Sequence, residues 1–273
     1  MAGTTLAMKV KHVDRLITAK LFASPVGLLE LCSGRVRLLL NSLASSETIV
    51  DERIPEARIR GYMGLGNPFS EHFLDDLQRE LNIAIEQGID VNTVKAGEVP
   101  ISYSVRIKTN HHLFQHYVKA LLQSNLDSFL KSLYNGEYKV YEFLLFRNLP
   151  IPEYCRGPQY PDYYSSKWHR DGGSITWEKI IVLLHDTEIQ NGPTHIASKK
   201  ETRQILRDGY IKRTDYGGAN PLVSKLEQSE KNIMVGEKGY AYYFNPTLCM
   251  HRAGVPAEGC HRDSFMIIAE PAK

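Results

Sequence analysis

Long apolar runs are missing from this 273-residue sequence. No stretch approaches the roughly 20 residues a membrane span needs, so no spanning helix is expected. An excess of one charge is missing too. The 33 Lys and Arg stand against 31 Asp and Glu, a net of +2, which leaves no electrostatic argument for nucleic acid or an anionic membrane. Cysteine is sparse: Cys32, Cys155, Cys249 and Cys260 are scattered and form no CxxC pair. A disulfide scaffold is therefore not expected, and a reducing compartment is. Lys9, Lys11, His12, Asp14 and Arg15 interrupt the apolar residues at the start, so no secretory leader is expected and the chain reads as cytoplasmic. Repeats and low-complexity tracts are absent. So are GxGxxG and GxxxxGK[ST], which removes the main support for nucleotide binding.

What is present changes character near the midpoint. Residues 12–45 read mostly helical with a break at Pro25. Residues 70–87 predict an amphipathic helix with Ser70 as N-cap, Phe73, Leu74, Leu77, Leu81 and Ile85 on one face, and Gly88 as the stop. A further helix is predicted over 112–133, ending at Asn135-Gly136, and Ile101–Ile107 alternates as a strand does. Beyond Gly136 the runs Tyr138–Phe146, Trp177–Leu184, Asn232–Val235, Tyr240–Phe244 and Ser264–Ala269 all predict strands. Short strands between irregular loops point to a barrel or jelly roll rather than a parallel sheet.

The chemistry lies in where the ten histidines fall. Pairing ten His with 31 acids over 273 positions gives about one His-x-acid by chance. The chain has three: His12-Val13-Asp14, His169-Arg170-Asp171 and His261-Arg262-Asp263. In a strand, residues i and i+2 share a face, so His-x-Asp aims two metal ligands at one point. In a helix they diverge by about 200°, which sets His12 aside. His-Arg-Asp also opens the catalytic loop of protein kinases, but no Gly-rich loop, VAIK or DFG accompanies it here. His169 precedes Gly172-Gly173, and His251 follows an aromatic strand within His251-Arg252-Ala253-Gly254. Two histidines and one carboxylate form the facial triad of non-haem iron(II) oxygenases.

With these residues in order the chain resembles the iron(II)/2-oxoglutarate-dependent dioxygenases, most closely the phytanoyl-CoA dioxygenase-like branch. Trp168-His169-Arg170-Asp171, the strand WEKIIVLLH, Asp186 and Asn191-Gly192-Pro193-Thr194 follow that branch's order. So do Gly239, the YAYYF strand, His251-Arg252-Ala253-Gly254 and Arg262. The match spans about residues 139–270.

The resemblance implies a mainly β, α+β fold: a double-stranded β-helix (jelly roll, cupin-like) with N-terminal helices packed on it. It implies one catalytic domain over 1–273, with 1–135 mostly helical and 136–273 carrying the core. Iron(II) is then held by His169, Asp171 and His251. Arg262 pairs the far carboxylate of 2-oxoglutarate, since its planar fork matches a carboxylate, and Thr194 stands near the cosubstrate. O2 is the second cosubstrate, and the implied outcome is hydroxylation of an unactivated C–H bond of a small metabolite, with release of succinate and CO2. A peptide, glycan or lipid hydroxylase on the same core and a non-catalytic metal-binding jelly roll are the alternatives. The sequence departs from the branch at Ile196–Glu201, where Pro-Gly-Ser-His is usual. Tyr141, Arg147, Arg170, His185 and His195 are candidate substrate residues, and the tyrosines of residues 157–168 suggest a substrate loop. Substrate identity and oligomeric state carry no sequence signal.

Overall fold

Alternation within the apolar runs decides the architecture. In YEFLLF, Phe143 and Leu145 join one buried cluster, while Leu144 and Phe146 face an internal cavity. Ile180 and Val182 likewise oppose Lys179 and Ile181, and Phe265 and Ile267 oppose Met266. A sheet covered on both faces needs apolar residues on both, which is why these strands read as near-continuous apolar runs.

A computed structural model describes residues 51–94, 99–156, 160–207, 226 and 233–272. The stretch predicted helical over 12–45 lies outside them. The described residues form a mixed α/β structure dominated by an antiparallel sheet. Its strands are β1 (Tyr62–Gly66), β2 (Val91–Thr93), β3 (Pro100–Ile107), β4 (Tyr138–Asn148), β5 (Glu178–Leu183), β7 (Ala241–Phe244) and β9 (Arg262–Pro271). They lie in the order β1-β7-β5-β9-β4-β3-β2. A second, two-stranded sheet pairs β6 (Thr194–Ile196) with β8 (His251–Ala253). Isolated bridges extend it from β8 to His169 and from His195 to Ile233.

Three strands of the large sheet come from before residue 136, so the first half supplies sheet as well as helices. β1 pairs with β7 along the sheet edge, with a register shift between Gly64 and Gly66. Its sequence, YMGLG, offers too little periodicity to be read as a strand. The strand predicted over 232–235 is reduced, among the described residues, to the bridge at Ile233.

The helices α1 (Ile54–Arg60), α2 (Glu71–Glu86), α3 (Phe114–Leu122), α4 (Asn125–Tyr134) and α5 (Lys199–Arg207) follow local signals. Ser70 Oγ accepts from the Phe73 N–H, a cap worth about 1 kcal/mol. Phe73, Leu74, Leu77 and Leu81 bury the α2 face predicted for them. The single helix expected over 112–133 is in fact two. Ser124 interrupts it, taking extended backbone and capping α4 through the Leu126 N–H. Asn135, left-handed at φ 52°, closes α4 at the predicted point. In α5, Ser198 and Glu201 form a reciprocal capping box at 3.1 and 2.7 Å. The segment that departs from the branch pattern is thus a helix start, and its S-x-x-E signal was legible in the sequence. Residues of α2, α3 and α4 pack over Phe143, Tyr243, Phe265 and Ile267 on one face of the large sheet. The opposite face is left to the cavity.

Candidate metal centre

Two backbone hydrogen bonds, His169 N–H to His251 O at 2.9 Å and His251 N–H to His169 O at 2.8 Å, bring the two histidines side by side. Their rings lie 4.3 Å apart. Each Nδ1 faces a carbonyl two residues back: Lys167 O at 2.8 Å for His169 and Cys249 O at 3.1 Å for His251. Donating there fixes the tautomer, so both Nε2 lone pairs turn inward. They meet one atom, Asp171 Oδ1, at 3.5 and 3.6 Å. Asp171 shares this side with His169 because the chain is extended, and the Asp171 N–H donates to Pro246 O at 3.0 Å. The ligand atoms of His169, Asp171 and His251 all lie within 4.8 Å of one another. Three donors on one side leave the other positions of a metal open.

The electrostatics suit a cation. Burial opposes the charge of Asp171, but His169, His251 and Lys179 outweigh it and hold the carboxyl well below the usual range. Lys179 Nζ lies 2.6 Å from Asp171 Oδ2. Burial lowers His251 to about 4, so its imidazole is neutral at pH 7 and free to bind a metal.

A turn that the sequence did not single out carries this geometry. Asn245 Oδ1 accepts from the N–H groups of Thr247 and Leu248 at 3.1 and 2.8 Å. Asn245 Nδ2 donates to Ile175 O and to Glu178 Oε1 at 3.0 and 3.1 Å. The turn so fixed offers Pro246 O to Asp171 and leads into His251.

A cavity of about 250 Å³ opens between the two sheets, bounded by His169, Asp171, His251, Thr194 and Arg262. Leu144, Phe146, Ile181, Phe244 and Met266 supply its apolar wall. Arg262 is only 2% exposed, and Nη1 donates to Gly192 O. Its Nε has no partner and, among the described residues, no carboxylate pairs with it. Burial lowers its guanidinium to about 10, still charged at neutral pH. Gly192 is required where it stands. Its φ is +65°, and a Cβ there would sit 2.4 Å from Pro256 N. The Asn-Gly-Pro turn thereby docks on the segment after His251, and Asn191 Nδ2 donates to His261 O at 3.0 Å.

The five candidate substrate residues are not among the side chains lining this cavity. Tyr141 packs on Trp177 at 4.8 Å. Arg147 points to the helix side and grips Asp263, Nε to Oδ1 at 2.6 Å and Nη2 to Oδ2 at 2.5 Å. Arg170 reaches Thr247 O at 3.3 Å. His195 lies edge-on to Trp168 at 6.2 Å, and burial lowers it to about 3. His185 Nε2 accepts from the Asp263 N–H at 3.1 Å. His185, His261 and Asp263 gather closely enough to hold a metal, yet Arg147 and Gln78 already occupy both Asp263 oxygens. That cluster is closed by its own hydrogen bonds. The residues sequence reasoning missed include Ser102, Ser104, Arg106 and Lys179, all on the cavity wall, whereas Asn148, which the sequence offered beside Arg147, does line it. Of the tyrosine-rich loop, Tyr164 and Ser165 border the cavity, both at positive φ, and Tyr164 OH donates to Leu149 O at 2.9 Å.

No protein-family model matches the chain, and no curated protein sequence matches it. Solved structures do. EctD from S. alaskensis in its apo form aligns at 13% identity and a TM-score of 0.56, over 83% of this chain and 79% of that one. SnoK, a non-heme alpha ketoglutarate dependent carbocyclase from nogalamycin biosynthesis, aligns at 12% and 0.56, over 84% and 88%. The epimerase SnoN in complex with Fe3+, alpha ketoglutarate and nogalamycin RO aligns at 12% and 0.55, over 81% and 83%. At these identities the likeness is one of fold.

Proposed function

We propose that the chain is an iron(II)- and 2-oxoglutarate-dependent oxygenase acting on a small molecule, with its two sheets read as the walls of a double-stranded β-helix. The observation that carries this is the convergence of His169 Nε2, His251 Nε2 and Asp171 Oδ1 in a cavity that also meets Arg262. Two imidazole nitrogens and one carboxylate on one side suit iron(II) with open positions. The buried guanidinium of Arg262, without a carboxylate among the described residues, suits the far carboxylate of a dicarboxylic acid. The structural neighbours EctD and SnoN, solved with Fe or with 2-oxoglutarate, support the same pairing.

His169, Asp171 and His251 would hold the iron, which when bound supplies activation of O2 coupled to oxidative decarboxylation of 2-oxoglutarate to succinate and CO2. Arg262 would bind and orient the cosubstrate, and the Thr194 hydroxyl would offer it a second hydrogen bond. Leu144, Phe146, Phe244 and Met266 would exclude water from the reacting face. A cavity of about 250 Å³ favours a small molecule over a peptide or glycan, and the intact Asp171 favours hydroxylation over halogenation.

The test is succinate formation from 2-oxoglutarate with iron(II) in air, with no added substrate. Slow turnover in the wild type that is lost in the His169→Ala, His251→Ala double variant is expected. No turnover, together with zinc that iron and 2-oxoglutarate cannot displace, would make the chain a non-catalytic metal protein.

A further inference from the structure

Lys179 is a cation placed where the oxygenase reading needs none. It projects from β5 on the cavity side, beside Ile181, with its side chain 13% exposed. Its one ion-pair partner among the described residues is Asp171, through Oδ2. Oδ1 of the same carboxylate is the atom that both imidazoles face. A single carboxylate cannot neutralise a divalent metal and an ammonium together. Among the described residues no other acid lines the cavity. Glu142, on the neighbouring strand β4, is engaged by Arg106 at 2.8 Å.

The charges can be followed through loading. A divalent metal brings two positive charges, to which Lys179 and Arg262 add two more; of the other cations on the wall, Arg106 is paired with Glu142 and Arg252 lies over the Trp168 ring. Asp171 removes one and 2-oxoglutarate two, its far carboxylate at Arg262. At the metal end of the cavity Lys179 is then left without a counter-charge of its own. An uncompensated ammonium on a side chain this buried is costly. A ligand with a negative group at that end of the cavity removes the cost.

We propose that Lys179 selects a substrate carrying an anionic group, a carboxylate or phosphate, next to the metal. The assignment rests on the oxygenase reading and names its substrate class. An ammonium is a point charge that accepts either anion without demanding a fork geometry, and the apolar wall suits the carbon chain behind it.

The experiment loads the protein with Co(II) and 2-oxoglutarate and measures calorimetric binding of hexanoate, hexyl phosphate and hexanamide. Both anions are expected to bind about tenfold or more tightly than hexanamide. Lys179→Met should erase that preference and Lys179→Arg should keep it, with melting of each variant as the folding control. Hexanamide binding as well as the anions in the wild type overturns the assignment, and that comparison stands even if Lys179→Met fails to fold. A folded Lys179→Met protein that keeps the preference overturns it too. A wild type that takes Co(II) but no 2-oxoglutarate overturns the oxygenase reading and this assignment with it.

Discussion

Replacing Glu178 by Gln should make the protein more stable at pH 8 while changing it little at pH 5. Glu178 begins β5 and is buried beneath the Asn245 turn. Its Oε1 accepts from Asn245 Nδ2 at 3.1 Å, and its Oε2 has no partner. Burial pushes the carboxyl up from the ordinary 4.5 to about 7, against the pull of Asn245. The folded value lies above the unfolded one. The contribution of Glu178 is therefore whole below about 4.5 and is lost as the pH rises through about 7. At about 1.4 kcal/mol per tenfold, the interval is worth roughly 3 kcal/mol. Glutamine keeps an acceptor for Asn245 and carries no proton to lose. Urea unfolding of both proteins between pH 5 and 8 isolates this group, because every other titration cancels in the difference. The stability gap should widen by about 3 kcal/mol across the window, roughly 6–12 °C in Tm for a chain this long. A gap that stays flat would show that Glu178 does not titrate there and would refute the argument.

Three further outcomes are expected. Asn245→Ala strands the N–H groups of Thr247 and Leu248, and should cost about 2–4 kcal/mol in unfolding and weaken Co(II) binding at least about tenfold. Tight Co(II) binding in that variant would deny the turn its positioning role. Asp263→Asn breaks a buried, two-bonded pair with Arg147 and should cost about 3 kcal/mol, yet Co(II) stoichiometry by titration should remain one per chain, because His185 and His261 bind none. Arg262→Leu should abolish the rise in melting temperature that 2-oxoglutarate gives the Co(II)-loaded protein, while the metal-free protein melts no lower than the wild type, since an unpaired buried cation has been removed.

How much of this was legible depended on range. The α2 helix was read to within a residue because Ser70, the Phe73–Leu81 stripe and Gly88 are local signals. The division between α3 and α4 was not, because Ser124 caps a helix only once its backbone turns extended. Within β4, the sequence marks Arg147 and Asn148 equally as polar residues near a strand end. The fold sends Asn148 to the cavity and Arg147 to Asp263.

The sequence by itself marked the donor set of the candidate centre. His-x-Asp, a distant His and a later Arg are residue types and spacings, and strand periodicity alone puts His169 and Asp171 on one side. It also determined that both faces of the later strands are covered. Tertiary structure decided which face is which, since an apolar residue carries no mark of whether helix or cavity will meet it. It also decided the partners of Asp171. Lys179 and Pro246 lie 8 and 75 residues away in the chain, and only cross-strand register and the pairing of His169 with His251 bring the one to its carboxylate and the other to its N–H.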